Sequence, residues 1–299
     1  MAPAFGRSIS FPLSPARSSC STKQARHVRS ISLPTCRAHP LLAHLHATTR
    51  AARAWAAATA DPCTTSPSSG LAHLAALHAA LAELLVLPEP RAALATNGAT
   101  AFSDRLLDGL LALADAHGAF RETLVDLRRH AAEAQAALRR RDATRLASAV
   151  RAPRRAEKGL ARLASSARAA AAASCRLPLP AATAAEVEVS GVLAEALGAA
   201  ASASAAVFSA LEAVSSAATA AAAASAASSK KPAATATLMS FVTRSGKSAA
   251  SDEDRELAAL EKMERLDACI AEMEAGSDEV FRSILHTRVA LLNIRTQTC

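Results

Sequence analysis

Two copies of one six-residue pattern, R-S-I-S-x-P, are the most specific feature of the sequence that could carry chemistry. They occupy residues 7–12 and 29–34, and an Arg stands three residues before the second Ser of each copy. Basophilic kinases select this spacing, so Ser10 and Ser32 are the expected phosphorylation sites, and each phosphate would add charge for an Arg cluster of a partner. The residues that define the two candidate sites are Arg7, Ser10 and Pro12 in the first copy and Arg29, Ser32 and Pro34 in the second.

The pattern resembles the consensus R-S-x-S-x-P that 14-3-3 proteins read in phosphopeptides. The Pro two residues after the target Ser would turn the chain out of the binding groove. Ser10 and Ser32 are 22 residues apart, and a flexible coil of that length spans about 25 Å root-mean-square. One arm could therefore occupy both grooves of a 14-3-3 dimer and gain avidity. The alternative is that a segment rich in Arg, Ser and Pro forms such hexamers through its composition alone.

The segment that carries both copies, residues 1–38, is predicted to be a disordered basic arm. It is rich in Ser, Arg and Pro, and its few large apolar residues cannot bury enough surface to offset the entropy of ordering. Residues 1–60 contain eight Arg or Lys and no acid. The same composition is typical of a transit peptide. A cleaved leader for a plastid or a mitochondrion is therefore the alternative to an arm that remains on a cytoplasmic protein.

No set of residues with the spacing of a catalytic, cofactor or metal site is found, and the chain is predicted not to be an enzyme. The segment 245–248 resembles the end of a phosphate-binding loop, but the Gly required five positions before Gly246 is replaced by Phe241. The nine His and six Cys form no zinc-ligand spacing and no C-x-x-C pair. A chain of this length does not need disulfides, so a reducing, cytoplasmic compartment is expected.

The net charge of +8 is unevenly distributed. The eight cations of the first 60 residues account for all of it, so the remainder is formally neutral. Nucleic acid binding by that neutral remainder is not expected, because it would require a basic footprint. Within the remainder, residues 121–168 have thirteen basic and five acidic residues, whereas residues 251–279 have three basic and eleven acidic ones. We expect these two segments to pack together and neutralise each other; the alternative is a basic face for anionic lipid or an acidic partner.

The composition favours helices that pack through small side chains. Hydrophobic residues make up 51% of the chain and aromatic residues only 3%. Ala is the best helix former, whereas sheets prefer branched and aromatic residues. We therefore predict an all-α protein: an antiparallel bundle of about five or six helices at residues 39–299, preceded by the disordered arm. The predicted connectors lie near residues 60–70, 88–100, 174–182 and 229–251.

Local signals predict several details of these helices. Leu residues at helical spacing between positions 71 and 85 indicate a buried stripe. Asp142 is expected to cap a helix, Pro153 to kink or break one, and Trp55 to anchor the core. The last helix, beginning near residue 251, is predicted to bury an apolar stripe that starts at Leu257, and Gly276 is expected to bend it.

One segment has the length of a membrane span. Residues 198–229 could cross a bilayer, but they consist mostly of Ala and Ser and include Glu212. Ser and Glu are costly in hydrocarbon, and Ala supplies little driving force for insertion. Membrane association is therefore possible but not favoured.

Several stretches resemble those of a known family. They are HVRSISLP at 27–34 followed by His39-Pro40, LDG at 107–109, LRRR at 138–141, and VFR at 280–282 with TRVALLN at 287–293. The chain resembles the plant BYPASS-like (BPS-like) family, whose domain was long catalogued as one of unknown function. The resemblance implies an all-helical, non-enzymatic interaction protein, linked to root and shoot development through restraint of a mobile root-derived signal.

Overall fold

The computed structural model describes residues 40–58, 66–96, 99–174, 176, 183–228 and 252–296, which form eight helices and no strand. Six helices have 19 residues or more, and two have seven. The prediction of an all-α protein is confirmed, whereas the predicted arm lies outside the described residues. The helices are α1 (Pro40–Ala58), α2 (Pro67–Val86), α3 (Pro88–Leu94), α4 (Thr100–Arg139), α5 (Ala143–Ala149), α6 (Pro153–Ser174), α7 (Ala184–Ser228) and α8 (Asp252–Thr296).

Helix α7 is the centre of the bundle and packs against each of the other seven helices. Its sequence is apolar or small on all sides, which is the pattern of a buried helix. Small side chains let neighbouring backbones approach closely, and the stretch from Ala199 to Ala201 is almost completely inaccessible to solvent. Phe208 is its largest buried side chain, and the Phe208 ring centroid lies 4.8 Å from that of Phe120 on α4.

The long helices run in both directions around α7. Helix α4 is antiparallel to α8, because Arg295 near the end of α8 pairs with Asp104 near the start of α4 while Arg139 pairs with Glu264. Helices α6 and α7 are also antiparallel. In contrast, α2 is parallel to α8: Ser68 donates to Glu272, and ten residues later on α2 the carbonyl of His78 accepts from Thr287. Helix α4 is likewise parallel to α7.

The Leu stripe predicted on α2 is buried as expected, and the apolar face of α4 is buried as well. Leu257 is an exception, because 66% of its surface is exposed near the start of α8, before that helix is covered. Helix α8 is continuous through Gly276. A Cβ at Gly276 would lie 3.2 Å from the Leu71 side chain, so this Gly permits close approach of α2.

Capping signals set the boundary between α4 and α6. Asp142 accepts hydrogen bonds from the amides of Thr144 and Arg145, as predicted, and the Arg145 amide in particular lowers the pKa of the Asp142 carboxyl. Arg141, directly before it, has a φ of 53° and closes α4 with a left-handed residue. Helix α6 begins at Pro153, so this Pro ends one helix and opens the next.

Two predicted connectors contain helix. Helix α2 begins at Pro67, inside the connector predicted near 60–70, and α3 occupies residues 88–94 of the connector predicted near 88–100. In each case a Pro stands at the first helical turn, where its missing N–H costs nothing. Pro88 therefore starts a new helix immediately after it prevents α2 from continuing.

Trp55 joins α1 to α2 at the start of the bundle. Its side chain is 6% exposed, and the indole Nε1–H donates to Ser69 Oγ at 2.8 Å. The indole ring lies directly against Gly70, where any Cβ would overlap it. Trp55 is thus a core anchor, as predicted, and a residue without a side chain at position 70 makes room for it.

Substitution of Gly70 tests this packing against a matched control. We expect Gly70→Ala to lower the free energy of unfolding by about 1–3 kcal/mol, because the ring has to move. Gly159→Ala on α6 should raise it by about 0.5–1 kcal/mol, because nothing lies within 4 Å of the Cβ position there. Urea denaturation followed by far-ultraviolet circular dichroism measures both. Equal effects of the two substitutions would contradict the described contact.

Candidate functional site

A groove crosses the surface of the bundle where α1 ends and α7 continues. Helix α1 stops at Ala58, whereas α7 is 45 residues long. Among the described residues, the face of α7 from Ser202 to Ala218 is therefore lined only at its edges, by the end of α1, the start of α2, and α6 and α8. The cavity is open along one side and has a volume of about 1030 Å³. Its floor consists of Ala, Ser and one Val, so it is smooth and largely apolar.

Four cations surround this alanine-floored groove: Arg53 from α1, Arg168 from α6, and Lys262 and Arg265 from α8. No carboxylate is among the described residues that line it. Arg53 is ion-paired with Glu195, and Arg265 is 3.5 Å from Glu261 on its own helix.

The other two cations of the groove carry uncompensated charge. The Arg168 guanidinium donates to a neutral group, Ser209 Oγ on the floor, at 2.6 Å. Lys262 is exposed and takes part in no ion pair or hydrogen bond in the part of the chain that is described. The groove therefore combines an apolar floor with a net positive rim.

A second cluster of functional side chains lies in the core and contains two fully buried His residues. His117 Nε2 is 2.9 Å from Ser204 Oγ, and the His117 ring packs against Phe208 with centroids 5.2 Å apart. His78 lies on α2 and is 0% exposed. Burial lowers the pKa of His78 to about 4. Burial, and secondarily repulsion by His78, lowers the pKa of His117 to about 3. Both rings are therefore neutral at physiological pH.

Both ring nitrogens of His78 lack a hydrogen-bond partner within the described helices. The Nδ1 of His117 lacks one as well. Unpaired buried polar groups destabilise a fold by about 1–3 kcal/mol each. Although a His beside a Ser can serve nucleophilic catalysis, both members of the His117–Ser204 pair are buried at 1% exposure or less. No substrate can reach Ser204 in this arrangement.

Basic α4 and acidic α8 form a row of ion pairs, as the charge pattern of their sequences predicted. Arg121 pairs with Asp278 and also lies 5.1 Å over the Phe281 ring centroid, and Arg128 pairs with Glu274. Each exposed pair contributes little, about 0–1 kcal/mol. Together with the Arg139–Glu264 and Arg295–Asp104 pairs, they mark the face of α4 that meets α8.

The pairing does not extend to α6, whose outward face is basic. Four cations on this face are exposed and form no ion pair with any residue that the structure describes; they are Arg154, Arg155, Lys158 and Arg162. They stand opposite the side of α6 that packs on α7, so this outer face adds a second positive surface to the bundle. For the part of residues 121–168 that forms α6, the structure therefore agrees with the alternative prediction of an exposed basic face.

The site residues predicted from the sequence, Arg7, Ser10, Pro12, Arg29, Ser32 and Pro34, all lie outside the described residues. Among residues that are described, no group of three or more His, Cys, Asp or Glu could hold a metal ion.

Cys269 is a half-buried free thiol, and burial, with a smaller contribution from Glu272, raises its pKa to about 11. It is therefore a protonated, poor nucleophile at neutral pH.

The sequence does not predict the groove, although the floor of the groove lies within the segment rich in Ala and Ser at residues 198–229. Pattern analysis gives the faces of single helices, whereas the groove depends on the difference in length between α1 and α7. The Leu spacing indicates which face of α2 is buried, but the proximity of the buried His78 to His117 depends on the tertiary arrangement.

Two helices have the length and apolar composition to cross a membrane, Pro67–Val86 and Glu186–Ala227. Within the bundle, 61% and 67% of their most apolar windows are buried. Core helices of a bundle satisfy the same criterion, so this finding alone is weak support for a membrane span.

The fold and its surface define the chain as an all-α helical bundle with a basic groove over a central alanine-rich helix. The model of the family described as Protein BPS1 matches residues 70–294, and the chain belongs to this family. The match agrees with the resemblance to the plant BYPASS-like proteins. No curated protein and no solved structure matches the chain.

The buried His pair predicts a specific dependence of stability on pH. In the unfolded chain both residues titrate near 6.5, whereas in the bundle they resist protonation down to about pH 4 and 3. Between pH 6 and pH 4 the unfolded state therefore binds more protons, and the free energy of unfolding should fall by about 1.4 kcal/mol per pH unit for each His.

Replacement of one buried His separates the contribution of that His to the pH dependence of stability from the contribution of the carboxylates. We expect His78→Phe to reduce the slope of stability against pH between 6 and 4, while His44→Gln, at an exposed position of α1, leaves it unchanged. Guanidinium denaturation at a series of pH values gives the slopes. A slope that is the same in all three proteins would show that His78 is not buried in its neutral form.

Proposed function

We propose that the chain is a non-enzymatic interaction protein that acts in plant development and engages a partner through a phosphorylated N-terminal arm. Membership in the Protein BPS1 family supports the comparison with BYPASS-like proteins, which are linked to root and shoot development. The proposal of a non-catalytic role is supported by the described residues, in which the one His–Ser pair is sealed in the core.

The observation that carries the proposal is the duplicated hexamer with its target residues Ser10 and Ser32. Two copies of the same six-residue pattern place two phosphoserines at a separation that one dimeric reader can span. The second target also precedes the first residue of α1, Pro40, by eight positions. Eight extended residues reach at most about 26–29 Å, which is room for a partner domain to bind beside the bundle.

A phosphopeptide experiment tests the partner. A peptide of residues 1–40 phosphorylated at Ser10 and Ser32 should bind a 14-3-3 dimer at least 100-fold more tightly than the unphosphorylated peptide, because two moderate sites act together. Each singly phosphorylated peptide should fall between the two. Fluorescence anisotropy with a labelled peptide measures all four affinities.

The matched control carries the same charge in the wrong register. A peptide phosphorylated at Ser8 and Ser30 has the same composition and the same spacing, but each phosphate directly follows its Arg. It should bind no better than the unphosphorylated peptide. If the control binds as tightly as the Ser10 and Ser32 peptide, only bulk charge is recognised and the 14-3-3 proposal is rejected.

Membrane association is the second candidate, and the basic outer face of α6 favours it. Anionic lipid attracts each exposed Lys or Arg near its surface by about 1 kcal/mol. Four cations without ion pairs among the described residues, clustered on one helix face, are suited to such a contact. The third candidate is an organellar protein, for which the acid-free arm is the support.

Fractionation of plant cells that express the full chain with a C-terminal tag separates these candidates. A cytoplasmic protein stays in the supernatant at low and high salt and retains residues 1–38. An electrostatic membrane contact pellets at low salt and is released at high salt, and a spanning helix is not released. Loss of the arm from the mature protein, measured by N-terminal peptide mass spectrometry, would instead identify a transit peptide.

A further inference from the structure

We propose that the groove over α7 binds a long-chain carboxylate, whose apolar chain lies on the alanine floor and whose head contacts the cations of the rim. This inference concerns the bundle alone and is independent of the proposal for the arm.

The floor of the groove is an uncovered part of the central helix. From Ser202 to Ala218 it extends over about 24 Å, at 1.5 Å per residue. Ala213 and Ala217 are exposed on it, and Val214 is half-buried between them. Methyl groups in a row form a smooth apolar surface that can contact an extended hydrocarbon chain along its length. Burial of the methylenes of such a chain against this floor favours binding.

The rim determines the charge of the ligand. Arg53 and Arg265 are already paired with Glu195 and Glu261, so their charges are largely compensated. Arg168 stands over the floor at Ser209, and no described residue provides it with an anionic partner. Together with Lys262, which has no partner among the described residues, it leaves two positive charges beside the groove. A carboxylate satisfies Arg with paired hydrogen bonds and Lys with a point charge.

The dimensions favour a small amphiphile over a partner protein. A stable protein interface buries about 800 Å² on each partner, whereas the groove is a single helix face between two walls. Its volume of about 1030 Å³ corresponds to the upper end of small-ligand clefts, about 300–1,000 Å³. The connector at residues 229–251 is also disfavoured as an occupant, because it contains four cations and no acid.

Isothermal titration calorimetry of the full chain with sodium laurate, below its critical micelle concentration, tests the inference. We expect one laurate per chain. The double variant Ala213→Leu, Ala217→Leu should abolish binding, because its side chains fill the floor. Both residues are exposed, so the fold should not change. The control Ala112→Leu, on an exposed face of α4 outside the groove, should bind laurate as the parent chain does.

Charge variants test the rim separately. Lys262→Gln combined with Arg168→Gln should weaken laurate binding at least tenfold, because two favourable charge contacts are lost. Lys158→Gln, a cation on the outer face of α6, should leave it unchanged. Circular dichroism verifies that each variant is folded before titration.

Several results would overturn the inference. One is the absence of any heat of binding when laurate is added to the parent chain, and another is an equal affinity of laurate for the filled-floor variant and the parent chain. Binding of dodecyltrimethylammonium, which carries the opposite charge on the same chain, as tightly as laurate would also overturn it. Tighter binding of dodecyl phosphate than of laurate would reject a carboxylate as the ligand class. An acidic amphipathic peptide that binds the groove when laurate does not would assign it to a protein partner.

Discussion

The close packing of helices around α7 is the constraint on which the rest of the structure depends. A helix that contacts seven others has little space for large side chains, and Ala and Ser meet that condition. The cost is that Ala contributes few methylenes to the hydrophobic core. Larger residues on the neighbouring helices supply the missing apolar area, such as Phe120 on α4 and the Leu stripe of α2. Phe208 is the point where α7 itself contributes a large side chain to that core.

The same constraint produces the groove. Helices α7 and α8 have 45 residues each, whereas α1 and α2 have 19 and 20. The shorter pair can cover only one part of the longer pair, and no described helix covers the face of α7 that lines the groove beyond Ala58. An exposed face of Ala costs less than an exposed face of Leu would, because each side chain presents less apolar surface to water. An alanine-rich core helix can therefore remain uncovered over part of its length without a large loss of stability.

Much of the fold could be predicted from the sequence because its signals are local. The Leu spacing of α2, the cap at Asp142 and the start at Pro153 each depend on neighbours within a few residues. The opposite charges of α4 and α8 also identified these helices as neighbours, because charge is a property of whole segments. Leu257 shows the limit, since it continues the apolar spacing of α8 but lies where no helix covers it. Local signals do not give the positions of the helix ends or the relative lengths of the helices. They also do not give the proximity of His78 to His117, which arises only when the helices pack.

The distribution of positive charge separates the surfaces available for binding from those used for folding. Ion pairs with α8 involve three cations of α4, Arg121, Arg128 and Arg139, so these residues are held in the bundle. The surplus remains on the outer face of α6, on the groove and in the N-terminal segment. Helix α1 connects the last two, because Pro40 adjoins the arm and Arg53 lines the groove about 20 Å further along. Trp55 holds the end of α1 against α2 and the Arg53–Glu195 pair holds it against α7, so the wall that carries Arg53 keeps a fixed position beside the groove.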